Sequence, residues 1–263
     1  MFNVEITFAY RSRRDGWTGQ LDESAVAAAV YGVLGAWKQN GQLLPGEFPR
    51  TIMRTCCRVV ATCPETNSLE PRYAGKDVRE AVAALAESGL REPAWRVLGE
   101  DLDSPVADKC RKPTWHILSA DCLSNAPPVQ CGECHEPIPL YRLPSPVDRG
   151  KVLYWHHTYR AMDFIQLGSG TGQRFALKQM ADPNSFLSRD GREICRAIEK
   201  ATGVPTYYYL QRVRPRSLAA EKKSVCPSCG RKWLLAKPLH GRYDFKCDRC
   251  RLLSNIACSA RGR

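Results

Sequence analysis

The chain has 263 residues, of which 43% are hydrophobic and 25% are charged, and it contains no run of 18 apolar residues. This composition excludes wholesale disorder and a membrane-spanning helix. The first residues lack the basic and then apolar pattern of a signal peptide, so a soluble cytoplasmic protein is expected.

Residues 1–104 are predicted to form an α+β domain. Apolar and polar residues alternate over residues 4–8, which indicates a half-buried strand. A helix is predicted after Asp22, a suitable N-cap, and is expected to end near Gly41. The further elements expected in this domain are a strand over residues 51–63, a helix over residues 76–88 that Gly89 caps, and a short strand that starts at Trp95.

Residues 105–147 are predicted to be an extended connector. Six prolines lie between positions 127 and 146, and proline at this density disfavours both a helix and a central strand. Residues 148–215 are predicted to be helical, with Ser188 as an N-cap, and to end in a strand over residues 206–210. The last predicted domain spans residues 216–263.

The positive charge of the chain is concentrated at its C-terminal end. The net charge is +12, but residues 1–211 carry 25 Lys and Arg against 24 Asp and Glu. Residues 212–263 carry 14 Lys and Arg against 3 Asp and Glu. A segment this basic predicts an anionic partner, and nucleic acid is the partner of this kind that we expect.

The thirteen cysteines predict metal ligation or burial, because an odd number without an export signal makes a poor disulfide framework. The strongest motif is Cys226 and Cys229, then seventeen residues, then Cys247 and Cys250. This spacing is typical of a four-cysteine zinc site, where each C-x2-C knuckle places two sulfurs about 2.3 Å from one ion. Residues 216–263 are therefore predicted to be a zinc ribbon. Its Zn²⁺ is structural, since four thiolates leave no open coordination position.

A further C-x2-C pair, Cys131 and Cys134, has no obvious partner pair in the sequence. The residues that could complete a second metal site are Cys110, Cys122, His116 and His135. The predicted ligand set for a second zinc ion is Cys131, Cys134, Cys110 and His135. The alternatives are a redox pair and loop or buried cysteines that bind no metal.

Several longer motifs carry a resemblance to a known family. They are Trp37 with Asn40-Gly41-Gln42 and Glu47-Phe48-Pro49, Cys110-Arg-Lys-Pro-Thr-Trp115, Cys131-Gly-Glu-Cys134, Pro139-Leu-Tyr-Arg-Leu-Pro144, Thr202-Gly-Val-Pro-Thr-Tyr-Tyr-Tyr209, Pro238-Leu-His240 and Asp244-Phe-Lys-Cys247-Asp-Arg-Cys250-Arg-Leu-Leu-Ser-Asn255. Over nearly its whole length the chain resembles an uncharacterised bacterial family described as zinc-ribbon-containing and nucleic-acid-binding. The resemblance implies a bound zinc ion and a nucleic-acid partner. The family is expected to end soon after Asn255, so the basic end with Arg261 and Arg263 is expected to be particular to this protein.

Nucleic-acid binding through the basic ribbon is the leading functional prediction. Cations held on a small rigid scaffold pair well with phosphates, and the sequence does not distinguish RNA from DNA. The predicted phosphate-binding residues are Arg231, Lys232, Lys237, Arg242, Lys246, Arg249 and Arg251. Trp233, Tyr243 and Phe245 lie among these cations and could stack on bases. The favoured interpretation of these three aromatic residues, however, is the core of the ribbon itself.

The alternative prediction is a protein-binding adaptor or neutralising partner, in which the ribbon is structural or a protein-docking unit. The first 211 residues are nearly neutral and show no footprint of nucleic-acid binding. Their Trp95, Trp115 and Trp155 belong either to the core or to an interface with a protein partner.

An enzyme is disfavoured, and no catalytic residue is predicted. The glycine-rich residues 168–172 lack the Gly-Lys-Ser/Thr sequence of a phosphate-binding loop and are interpreted as a linker. His156 and His157 are adjacent on a predicted helix, where neighbouring side chains point about 100° apart and do not share a metal ion easily.

Overall fold

A computed structural model describes residues 1–110, 112–168, 170–213 and 217–257. It confirms the α+β class, because six helices and two sheets are present in these residues. The chain forms two compact units. Unit 1 comprises Met1–Ala107, Asn125–Pro127 and Pro139–Arg142; unit 2 comprises Asp108–Ser124, Pro128–Ile138 and the residues from Leu143 onward. Four cations of the basic segment lie outside the described residues: Arg214, Arg216, Arg261 and Arg263.

Unit 1 is built on a four-stranded antiparallel sheet in the order β2-β3-β1-β4. Its strands are β1 (Phe2–Ala9), β2 (Arg50–Ile52), β3 (Cys56–Cys63) and β4 (Ala94–Glu100), and its helices are α1 (Glu23–Asn40) and α2 (Lys76–Ala84). Every second residue of β1 from Val4 to Phe8 is buried, as the alternation predicts. These residues pack in one hydrophobic core with the apolar faces of α1 and α2.

The ends of the elements in unit 1 follow local chemistry. The Asp22 carboxylate accepts a hydrogen bond from the Ser24 backbone N–H at 2.8 Å, and Gly41 ends α1 with a φ of +81°. The single strand expected over residues 51–63 is instead two paired strands, β2 and β3. The Met53 N–H donates to the Cys56 carbonyl at 2.8 Å and closes the turn between them.

Unit 2 contains a six-stranded mixed sheet in the order β6-β5-β7-β10-β9-β8. Its strands are β5 (His116–Leu118), β6 (Val129–Cys131), β7 (Thr206–Leu210), β8 (Leu234–Leu239), β9 (Tyr243–Cys247) and β10 (Leu252–Ser254), and its helices are α3 (Arg149–Gly168), α4 (Gln173–Ala181), α5 (Phe186–Thr202) and α6 (Leu218–Lys222). The strand β7 pairs in parallel with both β5 and β10. The other neighbouring strands are antiparallel.

The central strand β7 is buried on both faces, which is the environment that a strand with two parallel neighbours occupies. On one face Tyr208 meets Trp155 of α3 edge to face, with 5.9 Å between ring centroids. Gly191 of α5 makes room for this ring, because a Cβ at position 191 would lie 2.2 Å from Tyr208 Cε2. On the other face Tyr207 meets Trp115 edge to face at 5.5 Å.

Three segments of unit 2 differ from expectation. The expected connector, residues 105–147, contributes β5 and β6 to the sheet, and β6 lies at the sheet edge, where a proline-rich neighbourhood is tolerated. The described part of the expected ribbon domain contributes β8, β9 and β10 to the same sheet. The N-cap of α5 is Ser185 and not Ser188, since the Ser185 hydroxyl accepts from the Ser188 N–H at 3.1 Å. Within the described residues, no helix combines the length and apolarity needed to cross a bilayer.

Candidate metal centres

The first candidate metal centre contains the four cysteines of the strongest sequence motif. Cys226 and Cys229 precede β8, Cys247 is the last residue of β9, and Cys250 lies in the turn between β9 and β10. Their sulfur atoms all lie within 4.8 Å of one another. The structure thus brings together the four cysteines of the sequence motif, and the cluster could hold a metal ion.

Local backbone geometry explains why each cysteine pair converges. In the first knuckle the Cys226 N–H donates to the Arg231 carbonyl and the Gly230 N–H donates to the Cys226 carbonyl, both at 2.8 Å. The chain can turn this tightly because Gly230 has a φ of +71°, a region that glycine enters without a Cβ clash. In the second knuckle the equivalent position is Arg251, with a φ of +52°.

The sulfur spacing of the first centre fits a tetrahedral ion. Bonds of about 2.3 Å from zinc to sulfur place tetrahedral ligands about 3.8 Å apart, and the Cys229 and Cys247 sulfurs are 3.7 Å apart. The Arg231 backbone N–H lowers the pKa of Cys229 to about 7, which favours the thiolate that a metal binds. Four thiolate ligands close the coordination sphere, so the site is suited to a structural role.

A second candidate metal centre lies beside β6 in the same unit. Ligand atoms of Asp108, Cys110, Cys131 and Cys134 all lie within 4.8 Å of one another. Three of the four predicted ligands are therefore present in this cluster. The fourth predicted ligand, His135, is not part of it, and Asp108 is found instead.

The backbone of the second centre repeats the geometry of the first knuckle. The Cys131 N–H donates to the Glu136 carbonyl, and the His135 N–H donates to the Cys131 carbonyl, both at 2.9 Å. His135 therefore occupies the position that Gly230 has in the first knuckle, and its φ is +65°. The knuckles at Cys131 and Cys226 thus share one hydrogen-bonded turn, and the residue after the second cysteine has a positive φ in the Cys247 knuckle as well.

The same turn explains why His135 is not a ligand. Its ring stacks on His240 with 4.7 Å between centroids, and its Nε2 lies 2.9 Å from the Tyr243 hydroxyl. Two other sequence candidates are also outside the cluster. Cys122 donates its backbone N–H to Asp163 at 2.8 Å, whereas His116 is a buried residue of β5.

Asp108 is the ligand-type residue that sequence reasoning missed. Its carboxylate is buried, and Oδ1 accepts from the Cys110 N–H at 3.0 Å and from the Cys134 thiol at 3.2 Å. Its own N–H donates to the Pro137 carbonyl at 2.9 Å, which fixes residue 108 beside the knuckle. An aspartate two residues before a cysteine belongs to no common ligand spacing, so the local sequence carried only a weak signal.

Burial also affects the thiols of the second centre. It raises the pKa of Cys134 to about 11 and that of Cys131 further above its ordinary value. Glu133 lies beside the cluster without belonging to it. One Glu133 oxygen accepts from the Cys131 thiol at 3.1 Å, and the other accepts from the Thr114 N–H at 2.6 Å and from its hydroxyl.

The seven cations predicted to bind phosphate fall into two groups. Four of them have exposed side chains: Arg231, Lys232, Lys237 and Arg249. The other three are Arg242, Lys246 and Arg251, which are half-buried and contact groups of unit 2. The structure therefore does not bring all seven together on one open surface.

The contacts of the half-buried cations are specific. The Arg242 guanidinium lies over the Tyr209 ring at 4.8 Å. Arg251 pairs with Glu199 at 2.9 Å. Lys246 pairs with Asp248 at 3.2 Å and lies over the Tyr207 ring at 4.9 Å. These cations stabilise the sheet, and Arg242, which lies over both the Tyr209 and the Tyr243 ring, is a packing residue more than a surface charge.

The aromatic residues among these cations are buried, as expected for the core of this segment. Trp233 and Phe245 stack with 5.0 Å between centroids, and Tyr243 packs edge to face on Tyr209 at 5.2 Å. Trp233, Tyr243 and Phe245 each have less than a tenth of their surface exposed. They are thus not available as an open stacking platform for bases.

The chain matches three protein families along its length, each described as a domain of unknown function: DUF8589 over residues 1–99, DUF2310 over residues 110–211 and DUF8594 over residues 215–260. A protein of Haemophilus influenzae titled "Uncharacterized protein" is 34% identical over 233 residues, covering 86% of this chain and 88% of the relative. A second protein of the same organism and title is 35% identical over 174 residues, covering 65% of this chain and 86% of the relative. No solved structure matches the chain. The chain therefore belongs to the uncharacterised bacterial family of these Haemophilus influenzae proteins.

Proposed function

We propose that this protein is a zinc protein that binds nucleic acid through the basic surface of its C-terminal segment. The observation that carries the proposal is the first metal centre, where four cysteine sulfurs from two knuckles lie within 4.8 Å of one another. Zn²⁺ at this centre joins the chain before β8 to the turn after β9, and residues 217–257 then form a zinc ribbon. Binding of structural zinc is worth roughly 10–16 kcal/mol in zinc-finger peptides, so the metal supplies folding free energy.

The second centre is proposed to bind a second structural Zn²⁺. Three thiolates and one carboxylate give four ligands of the types that zinc accepts, and again leave no open position. The ligands proposed for this ion are Asp108, Cys110, Cys131 and Cys134. No catalytic role is assigned to either ion.

The nucleic-acid part of the proposal is supported by exposed cations next to the first centre. Arg231 and Lys232 directly follow the first knuckle, and Arg249 lies inside the second knuckle. Zinc therefore fixes the backbone that carries these side chains, which lowers the entropy lost when they pair with phosphates. Arg242 and Arg251 are left out of the proposed surface, because their side chains are engaged within unit 2.

The test is a fluorescence-anisotropy titration of the zinc-loaded full chain with labelled single-stranded RNA and with duplex DNA. Four phosphate contacts to a single strand predict a salt slope of about −2.8, which weakens binding about 50-fold between about 50 mM and about 200 mM salt. Removing two contacts with the Arg231→Gln, Lys232→Gln variant should reduce the magnitude of that slope by about 1.4.

A matched control replaces the adjacent exposed cations Arg13 and Arg14 of unit 1 by glutamine. This control removes the same charge and should leave both affinity and salt slope unchanged. Equal effects of the two variants would mean that the net charge of the protein, and not the proposed surface, determines the affinity. Absence of salt-dependent binding to either nucleic acid would contradict the proposed function.

A second candidate function is a protein-binding adaptor, and exposed aromatic side chains on α3 and α4 favour it. Tyr154, Phe164 and Phe175 are 72%, 71% and 59% exposed, so three large aromatic side chains of unit 2 are open to contact with a protein partner. An adaptor predicts partner binding that survives high salt and is lost when these three residues become serine, while both zinc ions are retained.

A further inference from the structure

A groove of about 830 Å³ lies in unit 2 beside the first metal centre. One wall is α4, with Arg174 and Lys178 spaced one helical turn apart, and Lys223 also lines the groove. Pro227, inside the first knuckle, also lines it. The groove therefore adjoins the cations of the proposed nucleic-acid surface but is formed mainly by residues outside the predicted set.

The lining of the groove is cationic. Arg174, Lys178 and Lys223 have exposed side chains, and no acidic residue is present among the described residues that line it. Arg212 also lines the groove, but its guanidinium is held by Glu221 at 2.8 Å and by the Ser224 hydroxyl at 3.3 Å. Arg174, Lys178 and Lys223 therefore remain as the exposed cations of the lining that attract an anion.

Polar and apolar surface contribute to the lining of the groove in nearly equal parts. Leu177 and Ala181 of α4 are the apolar part of the wall, and Ser224 and Ser254 add hydroxyls. Exposed cations beside a lining of mixed polarity suit a ligand that joins an anionic group to a flat, weakly polar ring. A nucleotide has this composition, with a phosphate for the cations and a base for the apolar wall.

We propose that this groove binds one nucleotide of a single-stranded nucleic acid. Its phosphate pairs with the cations Arg174, Lys178 and Lys223, and its base lies against Leu177 and Ala181 of α4. The inference deepens the proposed function and rests on it. It requires a single strand, since a base paired and stacked in a duplex cannot enter a groove in the protein.

The experiment compares two charge reversals in the full, zinc-loaded chain. Arg174→Glu with Lys178→Glu reverses the α4 pair that lines the groove. Arg196→Glu with Lys200→Glu is the matched control, because these residues are also exposed, are also four apart, and also end in the last turn of their helix. Circular dichroism and zinc content confirm folding of each variant, and Arg174→Gln with Lys178→Gln replaces the reversal if it does not fold.

Affinity is measured by anisotropy with a labelled single-stranded RNA, a single-stranded DNA of the same length, and a duplex. The groove pair should weaken single-strand binding at least tenfold and reduce the magnitude of its salt slope by about 0.7, the share of one phosphate, while the control pair changes neither. Duplex binding should respond equally to the two variants. A nucleoside monophosphate is titrated as a separate arm and should compete only at far higher concentration than the strand.

The outcomes separate the groove from the proposed function. If both variants bind the single strand as tightly as the unmodified protein, the proposal that the groove binds a nucleotide is refuted and the proposed function stands. No strand or duplex binding by the unmodified protein overturns both. Tight monophosphate binding that only the groove pair abolishes, with strand binding unaffected, overturns the strand as ligand, because the groove then takes free nucleotides.

Discussion

Asp108 is predicted to be a direct zinc ligand, and its replacement gives the sharpest test of the second metal centre. The Asp108→Ala variant removes a carboxylate that is only 2% exposed and lies within 4.8 Å of three cysteine sulfurs. We expect this variant to retain one zinc ion per chain, at the first centre, where the unmodified protein retains two.

The size of the effect follows from the position of the carboxylate. Loss of a residue that only orients a ligand costs about 10–100-fold in metal affinity. A direct ligand contributes more, so Asp108→Ala should weaken the second zinc by at least ~100-fold, which is about 2.7 kcal/mol. Asp108→Cys restores four ligands of the kind found at the first centre, and it should keep two zinc ions per chain.

The assay is zinc content after dialysis against a chelator of graded strength, together with cobalt substitution as a report on thiolate ligands. Glu133→Gln is the matched control, because Glu133 contacts the Cys131 thiol at 3.1 Å without belonging to the four-residue cluster. It should keep both zinc ions, with the second bound less tightly.

Two results would refute this reasoning. If Asp108→Ala holds two zinc ions as tightly as the unmodified protein, the carboxylate is not a ligand. If Glu133→Gln loses the second zinc while Asp108→Ala does not, the acidic ligand has been assigned to the wrong residue.

Three further predictions concern stability. Burial lowers the pKa of His156 to about 3, so below pH 6.5 this imidazole takes up a proton mainly in the unfolded chain. The stability that the neutral, buried imidazole contributes is therefore present above pH 6.5 and is lost as the pH falls below it. When the pH is lowered from about 7.5 to about 5, the free energy of unfolding in urea should fall by about 2 kcal/mol more for the unmodified protein than for His156→Phe. Gly191→Ala should destabilise by about 1–3 kcal/mol in denaturant unfolding, because the new Cβ would lie 2.2 Å from the buried Tyr208 ring. The free energy of unfolding of Arg251→Gly should lie within about 1 kcal/mol of that of the unmodified protein, since relief of the positive φ offsets the loss of the partly exposed ion pair with Glu199. Arg251→Ala keeps the strained φ and should be less stable in thermal unfolding.

Features that depend on neighbouring residues were predictable from the sequence. The alternation over residues 4–8 defines the buried face of β1 because side chains point to opposite sides of a strand in turn. Asp22 and Gly41 mark the ends of α1 because capping involves only the adjacent turn. The first metal centre belongs to the same class, since each knuckle pairs two cysteines within four residues and a hairpin-length segment joins them.

The second centre shows where local information ends. Asp108 and Cys110 are more than twenty residues from Cys131, and nothing in the spacing selects Asp108 over His135. The selection is made by the fold, because the Asp108 N–H bonds to the Pro137 carbonyl while the knuckle turn sends the His135 ring toward His240 and Tyr243.

Charge shows the same division between sequence and structure. The sequence by itself determined that residues 212–263 are strongly basic and that four of their cysteines have the spacing of a metal site. Only the tertiary structure decided which cations face solvent, because the pairing of β7 with β10 brings Arg242 over Tyr209 and Arg251 against Glu199. It also placed Arg174 and Lys178, which no sequence motif connects to the basic segment, on the wall of a groove with Lys223. The physical reason is that net charge is a sum over residues, whereas a binding surface depends on which side chains long-range strand pairing and helix packing leave exposed together.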